Sequence, residues 1–382
     1  MTMRVAIDAR MIKPGSMHGI ARYVYELLRG LSARETGFEY FVLVHIDSPL
    51  LSEKWPNHFH MKVIKSPWIS FREQFEIPSL LRRLKIDLFH APSFVAPLLV
   101  PCKMIMTIHD LNHLVLPQFY TPLHQLYYSV FVKSCIARST YILTVSQFSK
   151  KEIIRTLDLD NEKVFVTYNG VSSNYKPVTD PEELAYVREI YELPDEFILC
   201  VSNNKPHKNV QQLVRAYCQT KLDVPLVLAT PIDRGLLQLA DSYGKKHLIY
   251  FSKFIAEEHL PAVYSLTKLF VYPSTYEGFG LPPLEALCCG AVVVVARSSS
   301  LPEVVGDNAI FADPYDYMDI ARALERGINE PQSRVKDEQI AAHRANFSWS
   351  RMTEQTLNLY RSCLGVGPTS ASSSIAQPGG AS

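Results

Sequence analysis

Short apolar runs rich in β-branched and aromatic residues alternate with amphipathic helical patterns along most of the chain, and the alternation starts twice. Runs at 4–8, 40–45, 61–65, 87–90, 104–109, 141–146 and 164–168 read as strands, with helical patterns at 19–33, 72–85, 124–138 and 147–157 between them. Strands separated by helices pair in parallel, and the helices cover the sheet. The rhythm stops at Tyr175-Lys176-Pro177-Val178-Thr179-Asp180-Pro181. It restarts with strand runs at 197–201, 225–229, 248–251, 268–272, 291–296 and 309–312 and helical patterns at 209–220, 257–266, 282–289 and 315–325. So many strands exceed one comfortable open sheet. The pattern therefore predicts an α/β chain of two doubly wound, Rossmann-like domains facing a central cleft, 1–176 and 177–348. A last amphipathic helix at 349–364, with Met352, Leu357, Tyr360 and Leu364 on one face, is expected to pack back towards the first domain. The tail at 365–382 has nothing to bury and is expected to be disordered.

Charge narrows the function classes. The 39 Lys and Arg nearly balance 38 Asp and Glu, leaving no global excess with which to neutralise a run of phosphates, so nucleic-acid binding is not expected. The balance is uneven: residues 1–176 hold 21 basic against 14 acidic residues, leaving 18 against 24 for the remainder. Seven scattered cysteines, mostly in apolar runs, read as reduced core thiols. Asp8 and Arg10 interrupt the start where a signal peptide needs an apolar stretch, and Pro97, Pro101 and Lys103 break the longest apolar run. These features point to a cytoplasmic protein. The basic and aromatic stretches at 80–85 and 125–133 leave open a peripheral contact with the inner face of a membrane.

The densest cluster of motif residues is Pro273-Ser274-Thr275-Tyr276-Glu277-Gly278-Phe279-Gly280-Leu281-Pro282-Pro283-Leu284-Glu285-Ala286, which leaves a buried strand and opens a helix. Gly278 and Gly280 admit close approach of backbone amides, and a helix N-terminus favours a diphosphate. Glu277 at the mouth and Glu285 within the helix are acceptors suited to sugar hydroxyls.

With this string the chain resembles retaining nucleotide-sugar glycosyltransferases of family 4, of the GT-B fold. The E-x7-E pattern is Glu277 and Glu285, and the segments HGIARY, TIHD, TVSQFSK, YNGV, PHKN and SSSLPEVVGDNA follow the family's order and spacing. The resemblance implies a donor site in the second domain. There Lys208 neutralises the diphosphate, assisted by the backbone of Gly278, Phe279, Gly280 and Leu281. Glu277 holds the sugar and Glu285 the ribose. Ser202 stands where the family usually has Gly, and no Arg precedes Lys208, so Lys205 is the candidate second cation. His109, at the end of a first-domain strand, would contact the transferred sugar. Gly19, Arg10 and Asp110 are further cleft candidates for the acceptor or a phosphate. The family's front-face mechanism lets the departing phosphate take the acceptor's proton, with no enzyme nucleophile, metal or cofactor. The partners implied are a nucleotide sugar, GDP-mannose above others because the motif set most resembles bacterial mannosyltransferases of surface-polysaccharide synthesis, and a glycan or lipid-linked acceptor.

His109 and His113 have the spacing of a zinc pair, but the segment lacks the glutamate of HExxH. Two other classes fit twin α/β domains. A dinucleotide-dependent oxidoreductase would need G-x-G-x-x-G, whereas Gly278-Phe279-Gly280 runs into Leu281-Pro282-Pro283. A non-catalytic two-domain binding protein would be expected to carry a signal peptide.

Overall fold

A computed structural model describes residues 2–15, 19–68, 70–115, 132–203, 205–330 and 337–367. Most of the helix expected at 124–138, most of the aromatic stretch at 125–133 and the tail from 368 onward lie outside them.

The strands form two sheets. The first contains β1 (Met3–Asp8), β2 (Phe38–Val44), β3 (Phe59–Val63), β4 (Leu88–Ala91), β5 (Lys103–Thr107), β6 (Tyr141–Thr144) and β7 (Val164–Val166), in the order β3-β2-β1-β4-β5-β6-β7. The second contains β8 (Ile198–Val201), β9 (Leu226–Ala229), β10 (Ile249–Phe251), β11 (Leu269–Tyr272), β12 (Val293–Ala296) and β13 (Ile310–Ala312), in the order β10-β9-β8-β11-β12-β13. Every pairing is parallel. The doubly wound expectation is met in both halves.

Apolar continuity along the strands has a simple cause. Val5 and Ile7 of β1 join one core while Ala6 enters another on the opposite face, and Leu199 and Cys200 of β8 divide in the same way. Successive side chains point to opposite faces, so a sheet covered on both sides needs both parities apolar. Each sheet reverses its strand order at one point, between β1 and β4 and between β8 and β11. The carboxyl ends of strands beside such a reversal are where open α/β sheets hold ligands.

The final helix, Trp349–Leu364, sets Met352, Leu357, Tyr360 and Cys363 into the core that contains Val5 and Leu27. It lies so close to the helix Ile20–Ser32 that a Cβ on Gly30 would sit 2.1 Å from Thr353 Oγ1. Among the described residues no helix is long and apolar enough to cross a membrane.

Candidate active site

The two strand ends at the second reversal carry the residues singled out from the sequence. Beyond β8 the chain makes a tight turn, Pro206–Lys208, and Asn209 adopts φ 62° before the helix Val210–Gln219. Beyond β11 it runs through residues 273–280 into the helix Leu281–Cys288. The His207 carbonyl clamps these loops together, accepting from Thr275 N at 2.8 Å and Ser274 Oγ at 3.0 Å.

Lys208 Nζ consequently donates to Glu277 Oε1 at 2.6 Å and to Tyr272 OH at 2.8 Å. Both members of the ion pair are 13% exposed. Burial works against the Lys208 ammonium, but the pairing outweighs it and holds the group above the ordinary lysine range. Burial and the Glu277 carboxylate push the Tyr272 phenol up, so at neutral pH it is an uncharged partner. The backbone of Glu277 is fixed independently: its N–H donates to Ser299 Oγ at 2.9 Å, and its carbonyl lies 3.0 Å from Ser300 Oγ. Gly280, at φ 106°, turns the chain into the helix. Lys205 is exposed at the rim of the same loop.

Glu285 is 7% exposed, 3.5 Å from Tyr264 OH and hydrogen-bonded to Tyr175. Burial raises its carboxyl to about 7, against the opposing pull of the Arg22 charge and both tyrosines.

The facing wall comes from the first sheet. His109 lies two residues beyond β5, and its Nε2 is 3.2 Å from the Pro92 carbonyl. A carbonyl only accepts, so Nε2 carries the hydrogen and Nδ1 the lone pair. Burial lowers the imidazole to about 4, partly opposed by the Pro92 bond, so the ring is neutral near pH 7. Behind it stands a buried polar chain. Tyr23 packs edge-on against His109 at 4.8 Å, and its OH meets Thr107 Oγ1 at 3.2 Å. Thr107 Oγ1 meets His90 Nε2 at 2.8 Å, and His90 Nδ1 meets Tyr360 OH at 2.6 Å. The final helix thereby reaches the cleft histidine through three intervening side chains.

The walls touch. A Cβ on Gly278 would fall 2.2 Å from the His109 carbonyl oxygen, so only glycine allows this approach. Ser146 Oγ donates to the Gly278 carbonyl at 2.7 Å, and the charges of Glu277, Lys205 and Lys208 act on Asp110. Burial, reinforced by Glu277, raises the Asp110 carboxyl. Arg22 pairs with Glu257 across the cleft.

The family model for glycosyl transferases group 1 matches residues 188–344, and that for glycosyltransferase family 4 matches residues 17–175. O-antigen chain mannosyltransferase B of Escherichia coli is 33% identical over 290 residues, which cover 74% of this chain and 76% of that protein. This chain is a family 4 glycosyltransferase. The serotype-specific mannosyltransferase WbdA of Escherichia coli is 34% identical over 265 residues, 66% of this glycosyltransferase and 32% of the longer WbdA. Anabaena Alr3699/HepE in complex with UDP and glucose superposes with a TM-score of 0.75 at 20% identity, covering 94% of this chain and 100% of that one. The fold is GT-B, as the motifs implied.

The glycosyltransferase brings Lys208, Glu277, Gly278, Gly280, His109 and Asp110 to one cleft. One expectation needs correction. Arg10 is 2% exposed and does not face the cleft: its guanidinium bonds Asp8 at 2.9 and 2.8 Å, Glu73 at 2.9 Å and the carbonyls of Ser66 and Pro67. Phe279 needs no such correction: its side chain packs against Tyr168 and Phe347, leaving the backbone, the part expected to meet the diphosphate. Gly19 caps the helix Ile20–Ser32 at φ 59°, but residues 16–18 of its loop are outside those described. Among the described residues no three His, Cys, Asp or Glu side chains gather at metal-binding spacing. Tyr272 and Ser146 also meet the cleft residues, through Lys208 and the Gly278 carbonyl, and were not among the expected site residues. Ser146 lies in the segment TVSQFSK and Tyr272 ends β11 directly before the motif string, which are the local signals they carried.

Proposed function

We propose that this glycosyltransferase moves mannose from GDP-mannose to a hydroxyl of a glycan or lipid-linked acceptor, with retention at the anomeric carbon and no metal requirement. The carrying observation is the Lys208–Glu277–Tyr272 cluster at the second strand reversal, directly opposite neutral His109. The mannose assignment draws on the names of the Escherichia coli relatives. The residue range 1–176 supplies the acceptor wall, 177–348 the donor wall.

An ammonium has three hydrogens. Two reach Glu277 and Tyr272, and the third meets an oxygen of the donor diphosphate. Lys205 and the N-terminus of the helix Leu281–Cys288 supply further positive potential, the latter through the backbone amides of the preceding Gly278–Leu281 turn. Glu277 Oε2 accepts from sugar hydroxyls, and Glu285 accepts from the ribose. His109 contacts the transferred sugar, with Asp110 beside it. In the step itself the bond from the anomeric carbon to the diphosphate oxygen breaks, and the acceptor oxygen bonds the same face. Its proton passes to the departing phosphate. Lys208 stabilises the charge that develops on that phosphate, where preorganised electrostatics contribute most.

A thermal-shift panel of GDP-, UDP-, ADP- and dTDP-sugars in the presence of a chelator tests the reading, because a ligand that binds only the folded state raises its melting temperature. GDP-mannose should give the largest rise. A rise with another donor and none with GDP-mannose would overturn the donor assignment.

A further inference from the structure

We propose that Glu303 is a positioning residue for transfer, a carboxylate of the donor wall that caps a helix of the acceptor wall and so holds the cleft closed. The inference rests on reading this cleft as the site of transfer. The helix Gln147–Leu157 begins beyond β6 and presents its first backbone N–H groups to the second half of the chain. Its own N-cap, Ser146, accepts from Ser149 N at 3.0 Å and covers only that donor. The two donors that Ser146 leaves are taken from across the cleft. Gln147 N donates to Glu303 Oε1 at 2.7 Å and Phe148 N to Glu303 Oε2 at 3.1 Å, while Tyr168 OH also donates to Oε1 at 2.7 Å. A carboxylate spread over two N–H groups at a helix N-terminus matches both their hydrogen-bonding need and the helix dipole.

Glu303 has reach in both directions. It lies in the short helix Leu301–Val305, directly after Ser299 and Ser300, whose hydroxyls hold the backbone of Glu277 at 2.9 and 3.0 Å. On the other side, Ser149 of the capped helix places its Oγ 3.3 Å from the His109 carbonyl and 3.2 Å from that of Gly278. One stretch of chain, 299–303, thus fixes Glu277 at one end and the helix that abuts His109 at the other. Both partners of the cap regain water when the halves part, so the contact is reversible, and reopening permits exchange of donor and product.

The groups assigned to the GDP part of the donor lie in the second half alone, whereas transfer needs both walls in register. Glu303→Ala should therefore lower kcat about 30-fold, in line with the loss of charge-assisted hydrogen bonds and ångström-scale misplacement, while Kd for GDP changes by less than about twofold. Glu303→Gln, with one acceptor oxygen and no charge, should fall between. Gln147→Pro approaches the contact from the other wall: it deletes one N–H at a first helical position that tolerates proline, after a residue already extended at φ −155° and ψ 160°. It should lower kcat in the same direction with GDP affinity kept. Small-angle scattering of the GDP-bound protein supplies a readout independent of turnover, and Glu303→Ala should have the larger radius of gyration. Wild-type kcat and an unchanged radius in Glu303→Ala would overturn the proposal. So would a loss of kcat matched by loss of GDP binding or by a collapse in melting temperature, since either marks a general structural role. Absence of turnover in the wild-type protein would instead count against the transfer reading, and the scattering comparison would still decide whether Glu303 closes the cleft.

Discussion

Lys208 and Glu277 meet the cleft as an ion pair, whereas His109 on the facing wall meets it as a neutral ring. On the donor wall, two loops clamped by the His207 carbonyl bring opposite charges together, and each charge compensates the other. On the acceptor wall, burial has removed charge from His109 and from His90 behind it, and position is kept by hydrogen bonds running to Tyr360 in the final helix. The contrast follows the chemistry. On the proposed function, the wall that would stabilise developing negative charge stores a cation, and the wall that would orient a sugar stores rigidity.

Removing the cation tests the donor wall most severely. Lys208→Ala should reduce kcat/KM by about 10³-fold or more, because it deletes a charge aimed at the leaving group and leaves Glu277 buried without its partner. Steady-state kinetics with circular dichroism as a check on folding would show it, and near wild-type turnover would remove Lys208 from the site. Gly278→Ala probes the contact between walls. The added methyl meets the His109 carbonyl oxygen, so the halves must shift, and kcat should fall about 10²-fold while GDP still raises the melting temperature.

Glu285 gives a pH signature. Its carboxyl is lifted to about 7 from the ordinary value of 4.5, so the folded protein binds more protons than the unfolded chain between those values. Its contribution to stability is therefore intact below about 4.5 and declines as pH rises towards 7. Ribose hydroxyls need the ionised acceptor, so affinity for GDP-mannose should rise through pH 7, by up to about tenfold per unit below it. In Glu285→Gln the affinity should be weak and flat with pH. The smallest expected effect lies on the acceptor wall: Tyr360→Phe leaves buried His90 Nδ1 without its partner and should cost about 1–3 kcal/mol of stability by denaturant titration, with a modest fall in kcat and an unaltered GDP Kd.

Legibility in the sequence divides along similar lines. All the expected strands form, because apolar runs rich in β-branched and aromatic residues suit sheets covered by helices, though their ends shift. Phe59–Val63 begins two residues before the run at 61–65, since Phe59 pairs with Tyr40, and β5 stops at Thr107 rather than His109. The helix Pro181–Ile190 was not among the expected elements, although the Asp180 side chain caps Glu182 N and Pro181 occupies the first turn, both ordinary start signals. Donor-wall residues were legible because Glu277, Gly278, Gly280 and Glu285 crowd into one short string. Acceptor-wall contacts were not: His90 meets Tyr360 from 270 residues away, and Arg10 is drawn out of the cleft by Glu73, 63 positions along. Asp8 is the one local partner of Arg10; the distant ones leave no trace near the residues they hold.

On the proposed function, sugar transfer at the Lys208–Glu277 pair proceeds on one face of the donor. The most direct test is the anomeric configuration of purified product from GDP-mannose and a mannoside acceptor, read by NMR. Transfer on one face gives an α linkage, matching the donor, whereas a β linkage would mean inversion and exclude it.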